Sequence, residues 1–194
     1  MQSMAGLKES KNMTCYERTK KTIEFGKPDR IPVCGSAFET DYSGDIVFVF
    51  CEMRGSQWWR KEGGIDEWGC LWKKSEIDNM GQVVEHPVKE WSELQNVKFP
   101  DPDDPFRYCK LGETFKKTRD KYVVLANGSA CFERMHFMRG FERVLEDIYI
   151  NRKKVEELAD MLIDFQIRTV ENIAKRFQGK IHGFRLTDDW GTQE

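Results

Sequence analysis

The sequence predicts an α/β protein built on parallel strands. Strand-type apolar runs at 121–128 (KYVVLANG) and 181–189 (IHGFRLTDD) are separated by two helical patterns. That alternation is the grammar of a parallel sheet with right-handed crossovers. A third run, DIVFVF at 45–50, has the same strand character, although its place in the fold stays open. No G-x-G-x-x-G follows any strand, which argues against a dinucleotide-binding fold.

Each element has its own local signal. Thr14 and Glu17 stand at capping-box spacing, and Gly26 with Pro28 supply a stop, so 14–25 reads as a helix after a flexible N-terminus at 1–12. DRIPV follows as a short strand. The stretch 52–108 is irregular: it holds five of the six Trp, the Gly-rich EGGIDEWG and the turn-rich FPDPDDP, with only VKEWSEL helical in pattern. A loop region that long and aromatic reads as functional, or as an excursion that covers a site. Residues 106–120 form a charged helix. Phe137, Phe141, Val144, Leu145 and Ile148 then recur at helical spacing. A further helix runs from Asn151 to Gly179, with Val155, Leu158, Leu162, Val170, Ile173 and Phe177 on its apolar side.

The bulk numbers set limits. The 194 residues suffice for one domain, and 13 Phe with 6 Trp can fill its core. Lys+Arg (31) nearly cancels Asp+Glu (33), so the net charge of -2 gives no footprint for nucleic acid or an anionic membrane. No apolar run reaches the length of a membrane span, and the opening MQSMAGLKES has no signal-peptide core. The six cysteines form no C-x-x-C pair and no zinc spacing, so free thiols in a reducing cytoplasm are expected, with Cys70 and Cys131 packed.

Chemistry gathers at the strand ends. Asp188 and Asp189 close the last strand, where parallel α/β folds collect catalytic groups. Alternatively, one of the two caps the next element and the other is solvated. NGSACFERMHFMRG (127–140) reads as a loop after the preceding strand that clusters Cys131, Glu133, Arg134, His136 and Arg139. His136 has the pKa range of a general acid or base, or is a satisfied packed residue beside Phe and Met. DEWGC (66–70) echoes DDWG, and Asp66 beside Trp68 suits a pocket for a planar polar ligand, or else Trp68 anchors a loop on the core. His86 reads as structural and His182 as a core or inter-strand residue.

Taken in order, KPDRIPV, DEWGC.W, HPVKEW.EL....FPDPDDP, FERMHFMRGFE..L.D.Y and TDDWGTQ resemble the uroporphyrinogen decarboxylase superfamily. The closer likeness is to its decarboxylase-like branch, related to corrinoid-linked methyltransferases. The resemblance implies the N-terminal half of a cytoplasmic (β/α)8 TIM barrel over 13–194, cut after the third barrel strand, with the pocket at the strand C-termini. An open half-barrel would expose strand edges and so self-associate.

The resemblance also implies roles. A protonating group among Asp188, Asp66 and His136 would serve decarboxylation of a tetrapyrrole, with Asp189, Trp190, Trp68, Glu133 and Arg134 binding substrate. His136 stands where the family has a tyrosine, and Asp188 keeps the aspartate of D-x-W-G. PVCGSAFETDY replaces the family's R-Q-A-G-R, with Ala37 and Asp41 in place of its two arginines. Losing charge-assisted bonds of about 1.5–3 kcal/mol each would weaken polycarboxylate binding severely. The methyltransferase branch takes zinc ligands from the other half of the barrel, so no metal is carried over. Corrinoid and zinc belong only to the alternative in which the complete protein transfers methyl groups. A second alternative is a non-catalytic remnant.

Overall fold

Thr14 opens the first helix as its spacing predicts. Its hydroxyl accepts the Glu17 amide at 3.1 Å, while the Glu17 carboxylate accepts the Thr14 amide at 3.0 Å, starting α1 (Cys15–Ile23). The computed structural model describes residues 12–35, 43–55, 63–74 and 81–189; Ala37, Asp41, Trp190 and residues 1–11 lie outside them. The expected strand at DRIPV reduces to a parallel bridge between Cys34 and Ile46. Pro32 has no amide to give a ladder, and the Val33 amide donates to the Asp45 carboxylate at 2.8 Å instead.

The chain then forms β1 (Ile46–Val49) and enters the stretch expected to be irregular. That stretch contains a small antiparallel sheet of β2 (Gly64–Ile65), β3 (Leu71–Lys73) and β4 (Gln82–Glu85). These strands are too short to show an alternation in sequence, which is why no pattern betrayed them. VKEWSEL becomes a 3-10 turn at Trp91–Asn96. The charged helix divides into a 3-10 turn at Pro105–Tyr108 and α2 (Leu111–Lys117).

β5 (Tyr122–Ser129) leads into α3 (Phe132–Arg139), α4 (Phe141–Ile150), α5 (Arg152–Arg176) and β6 (Gly183–Thr187). The segment read as a loop at 127–140 is therefore mostly the end of a strand and a helix. The helix expected through Phe137 and Ile148 is two helices. Gly140 divides them at φ +96°, a conformation that side chains other than glycine's rarely reach.

β1, β5 and β6 form one parallel sheet in sequential order, with β5 in the centre. It does not close into a barrel among the described residues. Register pairs Val47 with Val123 and Leu125 with Phe184, so Val47, Val49, Val123, Leu125, Phe184 and Leu186 share one face. Under that face Val47, Val49, Val123 and Leu125 pack with Tyr108, Leu111, Phe115 and Ile173 as one core. A second, larger core joins the small sheet to the helices: Trp68, Cys70, Trp72, Val88 and Leu94 meet Met135, Met138, Val144, Leu158, Leu162 and Phe165. The aromatic excursion is thus a wall of the core.

Four buried arginines stitch these parts, each to a carboxylate: Arg18 to Asp45, Arg107 to Glu67, Arg134 to Asp66 and Arg139 to Asp147. A guanidinium suits such places because its fixed fork satisfies several acceptors at once. Burial opposes ionisation of Asp45, but bonds from Arg30, the Val33 amide, Cys15 and Arg18 outweigh it and hold the carboxyl well below its usual range. No helix among the described residues is long and apolar enough to cross a membrane.

Candidate functional site at the strand C-termini

Asp188 lies just past β6, and its carboxylate reaches the start of α3 on the neighbouring strand's loop. One oxygen accepts the Cys131 and Phe132 amides at 3.2 and 2.9 Å; the other accepts the Glu133 amide at 2.6 Å. The Asp189 amide adds a fourth bond, to that second oxygen, at 3.2 Å. This is the geometry of a carboxylate at a helix N-terminus, where unpaired amides and the helix dipole both favour negative charge. Cys131, the residue at the cap position, makes no side-chain capping bond itself. Asp188 therefore performs the cap from β6.

His136 lies one turn further along α3, at the same rim. Its ring packs edge-on between Phe132, 4.1 Å away, and Phe141, 4.7 Å away. It is 9% exposed, and its Nε2 is buried without a hydrogen-bond partner among the described residues. Burial lowers its pKa, against an opposing pull from Asp189 and Asp188. The imidazole is accordingly neutral near pH 7. Glu133 and the exposed Asp189 complete the rim.

Asp66, Trp68 and Arg134 form a second cluster, with its own geometry. One oxygen of Asp66 accepts the Trp68 and Cys70 amides, both at 2.9 Å. The other accepts Trp72 Nε1 at 2.9 Å and Arg134 Nη1 at 3.2 Å. The guanidinium of Arg134 lies 5.0 Å from the Trp68 ring centre, and that ring packs on Phe99 and Phe165. Every acceptor position of Asp66 is thus spent on holding a turn and tying it to α3. Trp68 is core, the loop-anchoring one of the two readings the sequence left open. Only the outer edge of this turn lines a shallow cleft of about 490 Å³, with Glu67, Glu93 and Lys98.

The structure therefore brings Asp188, Asp189, Glu133 and His136 to one rim and gives Asp66, Trp68 and Arg134 to a buried tether. Trp190 falls outside the described residues. Arg139, clustered with the site in sequence, instead binds Asp147 at 2.8 Å and the Val88 carbonyl, beneath the Trp91 ring. Sequence reasoning missed the Glu67–Arg107 pair at 2.8 Å, since partners 40 residues apart leave no spacing signal. It also missed the Arg18–Asp45–Arg30 network, although the Asp29–Arg30 pair within KPDRIPV was its one visible trace.

Cys70, Cys131, His86 and His182 are structural, as the sequence reads them. Cys70 is fully buried and its thiol donates to the Phe137 carbonyl, while burial raises the pKa of both Cys70 and Cys131. Such thiols are packing groups rather than nucleophiles. His86 Nδ1 bonds the Phe137 carbonyl oxygen at 2.9 Å. His182 joins two strands: its amide donates to the Val123 carbonyl, and its Nδ1 accepts the Val123 amide at 2.9 Å. No group of three or more His, Cys, Asp and Glu side chains among the described residues is placed to hold a metal ion.

No family model matches the chain, and no curated protein or solved structure matches it either.

Proposed function

We propose that the chain is a decarboxylase-like enzyme of the uroporphyrinogen decarboxylase superfamily, supplying part of a barrel pocket for a tetrapyrrole carboxylate. Parallel strands in sequential order with helical crossovers suit a barrel, since a doubly wound sheet would reverse its order at a switch point. The observation that carries the reading is the bridge from Asp188 to the first turn of α3. It sets two strand ends side by side and leaves His136 and Asp189 in one another's field at a common rim.

Within that reading Asp188 is a positioning residue, because its lone pairs are occupied by amides. Decarboxylation breaks a carbon–carbon bond, releases CO2 and leaves an electron pair on carbon, which must take up a proton. His136 would supply that proton from its imidazolium form, which the charges of Asp189 and Asp188 favour against burial, through the Nε2 that lacks a partner. Asp189 would return the proton to it from solvent. Positioned acid–base groups of this kind contribute about 10²–10⁴-fold to rate.

The test is anaerobic incubation of the protein with a tetrapyrrole bearing acetate side chains, following CO2 release and the mass of the product. His136→Phe should lower turnover by about 10²-fold or more with the fold intact, and Asp189→Asn should shift its pH profile. A parallel arm supplies a methyl-corrinoid and a thiol. Methyl transfer without CO2 release would replace decarboxylation with the corrinoid-dependent alternative, and neither reaction would remove the enzyme reading.

β6 favours a partner in addition. Among the described residues it pairs only with β5, and its core-side Phe184 and Leu186 are 47% and 53% exposed. An edge strand carrying exposed apolar side chains is a template for pairing, so we propose self-association of the chain along β6.

A further inference from the structure

The opposite end of the parallel sheet carries a cleft that the proposed chemistry does not use. It has a volume of about 720 Å³ and lies where α2 and α5 end and β5 and β6 begin. Its lining holds five cations, Lys116, Arg119, Lys175, Arg176 and Lys180, and no carboxylate. Its floor is apolar: Phe115 and Phe177 meet edge-to-face at 5.2 Å beside Val123.

Helix ends explain only part of that charge. Each C-terminus presents roughly half a negative charge, so α2 and α5 together offset about one cation. Lys116 is held by Glu113 at 2.6 Å, and Arg176 lies over the Tyr108 ring at 4.9 Å. Among the described residues no carboxylate pairs with Arg119, Lys175 or Lys180. Asp120 and Glu171 are near in sequence, yet neither lines the cleft. In a chain whose net charge is -2, a concave site with only positive lining is a local excess. Low-dielectric walls around such a concavity focus its field on small anions.

We propose that this cleft binds a small multivalent anion, bearing two or more phosphate or carboxylate groups on an apolar or aromatic body that packs against Phe177. Arg119, Lys175 and Lys180 would take the charged groups, the arginine in two-pronged fashion. Concave volume distinguishes this site from an extended nucleic-acid surface, which needs a basic stripe along a face.

Calorimetric titration of the whole chain with pyrophosphate, ATP and citrate at low salt tests the proposal. At least one should bind saturably, with affinity that falls as salt is added. Arg119→Glu/Lys175→Glu should weaken that binding at least tenfold. A control of equal charge change on other surfaces, Lys73→Glu/Lys153→Glu, should leave it within about twofold. All four positions are exposed, so a thermal melt can confirm that each variant is folded. Tighter binding of pyrophosphate and ATP than of citrate assigns a phosphate ligand, and the reverse order a polycarboxylate. Phe177→Ala should weaken ATP but not pyrophosphate; equal effects on both would overturn the apolar contact. Absence of binding, or equal loss in both charge variants, would overturn the site.

Discussion

Asp188 holds the amides of Cys131, Phe132 and Glu133 from a different strand, so its value to the fold can be measured apart from chemistry. Asp188→Asn keeps one acceptor and removes the charge facing the helix dipole. It should cost about 1–2 kcal/mol in urea denaturation, the usual worth of an N-cap with its dipole contribution. A loss of turnover at unchanged stability would instead return Asp188 to the chemistry. The histidines make a second residue-scale expectation. Burial lowers the pKa of His182, and of His136 against a smaller acidic pull. Their unfolded forms therefore bind protons more readily than their folded forms. The associated stability is complete above the unfolded value of about 6.5 and is lost as pH falls from there through the lowered folded values. Melting temperature should drop between about pH 7 and pH 5. His182→Asn, which keeps an acceptor near the Val123 amide, should flatten that slope; an unchanged slope would show that His182 does not carry it.

At the scale of elements, α3 is the piece that tertiary structure made. Its residues FERMHFMR alternate charge and bulk without a clear stripe, and its cap comes from β6, so the sequence could show only a chemically dense linker. Its end is set by Gly140, where an added Cβ would meet His86 Nε2 at 3.3 Å in a backbone region at φ +96°. Gly140→Ala should destabilise the protein by about 1–3 kcal/mol through backbone strain and displacement of His86. An unfolding midpoint unchanged from wild type would show that the α3–α4 corner relaxes freely. Elements with long internal periodicity were legible: α1 by its capping box and α5 by its repeating apolar side. The strands β2, β3 and β4 were not, because two to four residues cannot display a period.

For the whole molecule, the larger core is the joint between the excursion and the helices. Leu162 is buried there among side chains from both. Leu162→Ala should cost about 2–5 kcal/mol, and the small sheet and helices should unfold together in one transition. Two separate transitions would make the excursion an independent unit. Self-association is the other expectation at this scale. Sedimentation of the chain should show concentration-dependent assembly, which Leu186→Lys on β6 should suppress. A monomer at every concentration would remove it.

The sequence by itself determined the α/β class, the principal helices β-strand pairing would later organise, and the set of acids and imidazole worth watching. These depend on local periodicity and on residue chemistry, which need no partner to be read. Only the tertiary structure decided which carboxylate was spent on what. Asp66 and Asp188 stand in matching D-x-W-G settings, yet one is consumed by an arginine and an indole, the other by a helix terminus. A carboxylate's role follows from the donors that reach it, and the deciding ones, the α3 amides on Asp188 and Arg134 on Asp66, come from 55 to 68 residues away, beyond anything spacing can record.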